Sequence, residues 1–270
     1  MILQKIQIAR AVASATYKEW AAYRTHSMIS IFTGPLYFLV QTCIWSAVYK
    51  TGASVGGMSL DDMLTYYAVT TLIAYLTMDF ADWNLQMLIR TGRFITYALR
   101  PMHHRFFAFS QKLGHRTLGF IFEFLPVLAV FLLVFRIGLR PASWPFTLLS
   151  VALSFMMVFL VNYCIGLAGF WLTRTEGVRS VIQLLISLCS GALFPLIILP
   201  RALQALVFFL PFQFMTYVPG MVYTGQYRLG AFAMAVPQIV CLQAAYVLLF
   251  LCLSEFIYRL GLKRFTAVGA

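Results

Sequence analysis

The chain has 270 residues, 61% of them hydrophobic and 10% charged, with a net charge of +12 and a mean hydropathy of +0.85. Soluble domains carry about 25% charged residues, so an ordinary soluble fold is excluded and an all-α integral membrane protein is expected. The basic stretches are broken up by apolar spans and hold no nucleic-acid-binding motif, so nucleic acid is not expected as a partner.

The first 26 residues are not a signal peptide, because Lys5, Arg10, Lys18, Glu19 and Arg24 interrupt any apolar core. Ile2, Ile6, Ala9, Ala13 and Trp20 recur at helical spacing, with Gln4, Gln7, Ser14 and Lys18 opposite. The pattern predicts a helix lying in the membrane interface, with a simple basic anchor as the alternative. Six apolar stretches follow, at 27–49, 63–80, 118–135, 145–172, 181–199 and 230–258. Each is near the length that crosses about 30 Å of hydrocarbon. The whole of 1–270 is then one transmembrane domain: an interfacial helix over 1–26, a six-span bundle over 27–258 and a tail over 259–270.

An even number of spans puts both termini on one side. With the termini inside, the inner segments hold Lys5, Arg10, Lys18, Arg24, Arg90, Arg93, Arg100, Arg105, Lys112, Arg116, Arg174, Arg179, Arg259, Lys263 and Arg264, fifteen of the 20 Lys and Arg. The excess on inner segments places both ends in the cytoplasm, where the charge faces anionic lipid or an acidic partner.

In the first span, Thr42, Ser46 and Tyr49 share one face near Gln41 and Trp45. In the fifth, Gln183, Ser187 and Ser190 do the same beside Gly191. Such faces line a pathway or bind a neighbouring helix. The connection over 81–117 is longer than topology requires and strongly basic. Leu85, Leu88, Ile89, Phe94, Ile95, Tyr97, Ala98 and Leu99 lie at near-helical spacing, with Gln86, Arg90 and Arg93 on the polar side and Pro101 ending the run. Residues 85–100 therefore read as a short amphipathic helix that docks into a partner's groove, or as a basic loop that holds lipid phosphates. Asp79 and Asp82 could pair with Arg90 or Arg93. His103 and His104 extend the basic surface.

Glu123 is the one acid well inside an expected span and needs a partner or a proton. It is read either as a carboxylate paired with Arg116 or with a neighbouring helix's polar group, or as the relay of a proton-coupled carrier, against which stands the lack of a clear internal repeat. Cys43, Cys164, Cys189, Cys241 and Cys252 lie singly in apolar spans, and His26, His103, His104 and His115 have no acid near in sequence, so neither disulfides nor a metal site is expected. Between the fifth and sixth spans, Pro195, Pro200, Pro211 and Pro219 break an apolar stretch. A helix over 201–210 that enters the membrane and turns back at Pro211 would leave Phe208, Phe209, Phe212 and Phe214 as a hydrophobic plug; the alternative is a partly buried hairpin.

Three strings carry a family resemblance: IRTGRFITYALRP, GLAGFWLTRTEGVRSVIQLLISLCSGALFPLIILPRAL and FFLPFQFMTYVPGMVYTG. In order and spacing they resemble the type-2 ATP-binding cassette (ABC) exporter permeases, in particular a bacterial branch without characterised members. The resemblance implies a subunit of the bacterial cytoplasmic membrane that pairs with a second permease chain, identical or different. Two copies of a separate ATPase would drive it, binding the ATP and Mg, and this chain would hold no cofactor. That agrees with the lack of a G-x-x-x-x-G-K-[ST] phosphate loop. Residues 85–100 become the coupling helix, with Gln86, Arg90, Arg93, Phe94, Tyr97 and Arg100 as contacts and Glu176 to Arg179 as a smaller one. Gln41, Thr42, Trp45, Ser46, Gln183, Ser187 and Ser190 would line the path. Phe194, Pro195, Pro200, Phe208, Phe209, Pro211 and Phe212 would form the outer gate. The weakly polar, aromatic faces favour an amphipathic or lipid-like cargo.

Overall fold

The computed structural model describes residues 2–22, 24–50, 55–172 and 176–265, without the side chains of residues 2, 3, 24–28, 30 and 176. The expected interfacial helix is α1 (Ile2–Ala21). It is followed by α2 (Arg24–Lys50), α3 (Leu60–Thr77), α4 (Ala81–Arg90), α5 (Ile95–Ala98) and α6 (His104–Gly119). A π-turn over Phe120–Phe124 leads without a break into α7 (Leu125–Leu133). Then come α8 (Trp144–Leu167), α9 (Glu176–Cys189), α10 (Arg201–Phe209), α11 (Tyr217–Thr224), strands β1 (Tyr227–Leu229) and β2 (Phe232–Met234), and α12 (Val236–Leu262).

Among the described residues four helices are long and apolar enough to cross a membrane: Ile31–Lys50, His104–Leu133, Trp144–Phe170 and Val236–Leu262. Two of the expected spans differ in kind. Helix α3 carries Asp61 and Asp62 in its first turn, where Ser59 and Asp62 close a reciprocal cap. Helix α9 has 14 residues, about 21 Å of helix, and stops at Cys189, after which Gly191 takes a left-handed φ of +82°.

The apolar helix that holds the third expected span begins at His104, not at residue 118. The charges of α6 that read as loop are buried: the Lys112 ammonium donates to the Phe155 carbonyl at 2.9 Å, and Arg116 donates to the Tyr75 carbonyl at 2.8 Å. Buried cations with such acceptors are compatible with a span. His104 is also buried, its Nδ1 3.2 Å from the Tyr163 hydroxyl, and adds nothing to the basic surface.

The last span starts at Val236 rather than at residue 230, because 227–234 form an antiparallel hairpin, pairing Tyr227 with Met234 and Leu229 with Phe232. Gly230 turns it with φ +60°. This small sheet corrects the all-helical expectation, and Pro237 in the first turn of α12 marks the true helix start.

Helix α1 lies along α6. Thr16 is buried and Ala9, Ala13 and Trp20 are half-buried on that face, with the Trp20 ring 4.1 Å from His115 and 5.9 Å from Phe80. Ile6 and Ile8 stay exposed, apolar surface of the kind an interfacial helix offers to lipid; the Ile2 side chain lies outside the described residues. The two helices touch at Gly114, where a Cβ would overlap the Ala13 carbonyl. Gly114→Ala should therefore lower stability by about 1–3 kcal/mol, with the loss read as a lower melting temperature in detergent. An unchanged or higher melting temperature would show that α1 does not pack there.

Candidate functional site

Helix α4 turns Ala81, Asp82, Leu85, Gln86 and Ile89 inward, a face at one-turn spacing. Gly92, with φ +69°, ends it, and the chain folds back so that the Phe94 amide donates to the Leu88 carbonyl. The expected single helix over 85–100 is thus two helices around a tight turn. Phe94 is fully buried, its ring 5.2–5.3 Å from those of His104, Phe170 and Phe265. Gln86 is buried too, donating to the Ile165 carbonyl at 3.2 Å. Two of the expected coupling contacts therefore hold the hairpin against the bundle instead of facing a partner. Tyr97 is half-buried, wedged on His104 and Phe107, with the Arg100 guanidinium 4.5 Å above its ring.

What the α4–α5 tip exposes is Arg90, Arg93, Ile95, Thr96, Leu99 and Arg100. Leu99 is 80% exposed, an apolar side chain on the same tip as three exposed arginines. The spacing puts Leu99 and Phe94 on one apolar ridge; the Gly92 turn breaks that phase, so Leu99 faces outward and Phe94 is buried.

Beneath the tip, Asp82 is 1% exposed and pairs with neither Arg90 nor Arg93. Its carboxylate accepts from the Arg179 Nε of α9 at 2.5 Å and from the Gln183 amide at 3.3 Å. Gln183 also donates to Asn162 of α8 at 3.3 Å. Arg179, read as a partner contact, and Gln183, read as a path residue, are thus brought together around Asp82 and join α4 to α8 and α9. The side chain of Glu176 lies outside the described residues.

The far end of α9 meets α2 and α3. Three tyrosine hydroxyls donate to three successive carbonyls beyond its last turn: Tyr66 to Gly191 at 2.6 Å, Tyr37 to Ala192 at 3.0 Å and Tyr67 to Leu193 at 3.1 Å. Ser190 is buried, its carbonyl accepting from the Tyr217 amide and its hydroxyl from Ala192. Ser187 bonds its own helix through the Gln183 carbonyl. On α2, Trp45 donates to Gln41 at 3.2 Å and sits 6.3 Å from the Tyr67 ring, Thr42 bonds the Phe38 carbonyl, and Ser46 is half-buried. The structure thus gathers faces of the first, second and fifth expected spans. Tyrosines that the spacing argument did not single out do the joining. Their signal was their number inside apolar spans, where each hydroxyl needs an acceptor.

The helix expected over 201–210 is present as α10. Gln204 anchors its approach, donating to the carbonyls of Ile197 and Leu199. The four phenylalanines do not make one plug. Phe208 stacks on Phe232 at 3.9 Å, Phe214 packs on Tyr246 at 4.4 Å, Phe209 is 65% exposed and Phe212 is half-buried. Phe194 and Pro211 are half-buried, Pro195 is buried and Pro200 is exposed.

Glu123 sits in the π-turn, 3.4 Å from Arg116, each about 5% exposed. Gly119 lets this pair form, since a Cβ there would press on both groups. At the basic end, Glu255 of α12 gathers His103 at 2.9 Å, Arg259 at 2.7 Å and Arg105 at 3.7 Å. Burial lowers the His103 pKa against the pull of Glu255. Among the described residues no cluster of three His, Cys, Asp or Glu could hold a metal ion.

No curated protein is significantly similar to the chain. The family model described as ABC-2 family transporter protein matches residues 36–269, from early α2 through the described end of the chain and beyond. That span includes the α4–α5 tip, the Asp82 cluster and the tyrosine-capped end of α9, so the chain belongs to the ABC-2 family as the membrane-embedded transport component of an ABC transporter.

Proposed function

We propose that this chain is the permease subunit of an ATP-driven exporter for an amphipathic or lipid-like cargo. It would work in a bacterial cytoplasmic membrane with both termini inside, paired with a second permease and served by two ATPase subunits. The observation that carries this reading is the α4–α5 tip: an exposed apolar Leu99 on the same tip as the exposed Arg90, Arg93 and Arg100, backed by the buried Phe94 and tied through Asp82 to α9. Such a tip suits a groove on an acidic partner, and a push on it would be delivered to α9 and thence to the tyrosine-bound carbonyls at its far end. The short α9 with the broken segment after it and α3 complete six crossings only if non-helical backbone is covered by protein, as the tyrosines cover it here. The pairing of Glu123 with Arg116 supports a structural role for that acid over a proton relay.

The test is co-purification from native membranes in mild detergent. Leu99→Glu, and separately Arg93→Ala with Arg100→Ala, should reduce the recovered ATPase subunit on the order of tenfold while the permease still inserts. Recovery of no ATPase with the unaltered chain, or full recovery with both variants, would overturn the reading.

A further inference from the structure

A groove of about 540 Å³ opens on the outside of α12 at the basic end, lined by Arg105, Leu251, Cys252, Glu255, Phe256 and Arg259. Positions 251, 252, 255, 256 and 259 recur one turn apart, so the groove runs along the helix axis. Its two ends differ in chemistry. Toward the middle of α12 the wall is apolar, with Cys252 and Phe256 exposed, Phe256 at 61%. Toward the end of α12 stand Arg259, 75% exposed on its side chain, and Lys263 one turn further on, also exposed.

Among the described residues at the mouth, Glu255 bears the single negative charge, faced by Arg259 on its own helix and by His103 and Arg105 from the start of α6. Arg105 is fixed in place, its Nη1 donating at 2.7 Å to both the Leu251 carbonyl and the Ser254 hydroxyl. Two arginines against one carboxylate leave the mouth net positive even with His103 neutral, and Lys263 adds to it. Glu255 acts here as the brace that holds Arg259 over the groove.

We propose that this groove binds an anionic phospholipid, one acyl chain lying along Leu251, Cys252 and Phe256 and the headgroup phosphate on Arg259 and Lys263. The match is of both charge and polarity: the apolar run is directed toward the membrane interior and the cations lie where a headgroup would be. A soluble phosphate would have no use for the apolar wall, and a zwitterionic lipid, whose ammonium group offsets its phosphate, would gain less from the net positive mouth. Placing the site here does not depend on which cargo the transporter moves.

The experiment uses the full chain, purified and stripped of lipid in detergent, with Cys252 as reporter. In a variant keeping Cys252 and carrying Ser at the other four cysteines, maleimide labelling of Cys252 is timed with dioleoyl phosphatidylglycerol, dioleoyl phosphatidylcholine or inorganic phosphate added. Phosphatidylglycerol should slow labelling and the other two should not. Arg259→Gln with Lys263→Gln should weaken that protection roughly fivefold or more, the weight of one or two cations against an anionic headgroup. Native mass spectrometry of the unaltered chain, counting retained phosphatidylglycerol against phosphatidylcholine, gives the same comparison if the cysteine variant does not fold. Equal protection by phosphatidylcholine would overturn the proposal, as would protection by phosphate alone, unchanged protection in the double variant, or no preference in the mass spectrum.

Discussion

Arg116→Ala should destabilise the chain by about 3–5 kcal/mol, enough to abolish folding in many membrane proteins. The substitution leaves the Glu123 carboxylate about 5% exposed with its cation gone, inside a helix long and apolar enough to cross the membrane. It also removes the donor to the Tyr75 carbonyl at 2.8 Å. Glu123→Gln should lose less, roughly 1–3 kcal/mol, because the buried guanidinium it leaves keeps the Tyr75 carbonyl at 2.8 Å and the amide oxygen as acceptors, with the Asp79 carboxyl near enough to offset part of its charge. Replacing both by methionine should recover most of the stability, since a buried ion pair adds little over an apolar pair of like size. The measurement is the unfolding of the purified variants in mixed detergent. The same set separates the two meanings of Glu123. A structural acid predicts that Glu123→Gln, once folded, keeps its ATP-dependent activity in the complex at any pH. A proton relay predicts that this variant folds and is dead. A stable Arg116→Ala would show that Glu123 readily takes up a proton once its cation is gone, and would return the relay to the front.

The same helix shows what was legible in the sequence and what was not. Apolar runs marked α2, α8 and the body of α12, because long lipid-facing or buried stretches are uniform in composition and need no partner to be recognised. The prolines at 200 and 211 bracketed α10, since proline constrains the chain wherever it stands. Helix α6 was hidden because Lys112, His115 and Arg116 look like water-facing charges until their acceptors are known, and those acceptors are backbone carbonyls of Phe155 and Tyr75, far away in sequence. Periodicity puts Leu85 and Ile89 of α4 on one face, but that face packs on the bundle rather than into a partner, and Gln86, expected on the polar side, joins it. Phe94 and Leu99, expected on the same ridge, part company because a single left-handed glycine at 92 shifts the phase of everything after it. The hairpin over 227–234 passed for helix since an apolar run of that length fits either period, and only Gly230 and Pro237 argued otherwise. At the candidate site the residue types were right and the pairings were not. Asp82 was expected to meet an arginine and does, but one from α9 rather than from its own connection. Pairings across the fold follow from packing, which no local pattern encodes.

The Asp82–Arg179 pair gives the second large effect, and its two halves should behave unequally. Arg179→Ala leaves a carboxylate that is 1% exposed with, among the described residues, only the Gln183 amide at 3.3 Å to hold it, so a cost of about 3–5 kcal/mol is expected. Asp82→Asn instead leaves a guanidinium whose side chain is already 34% exposed and can turn to water, so about 1 kcal/mol is expected. Arg179→Lys should fall between them, since an ammonium keeps the charge but loses the planar donor geometry. Charge exchange, Asp82→Arg with Arg179→Asp, should not restore the pair, because Gln183 donates at the Asp82 site and would meet a cation there. Melting curves of the four variants test this order, and equal losses for Arg179→Ala and Asp82→Asn would show that the carboxylate is solvated or protonated in the membrane. The functional consequence can be read separately from stability. Asp82→Asn keeps the exposed arginines and Leu99 of the tip, so the ATPase subunit should still co-purify. The join between α4 and α9 is weakened, so movement of the tip should reach the tyrosine-held end of α9 less well. The expected signature is an ATPase complex that assembles and hydrolyses ATP at its basal rate with stimulation by lipophilic cargo lost. If stimulation survives in Asp82→Asn, the push travels by another contact, and the direct packing of α4 against α8 becomes the route to examine.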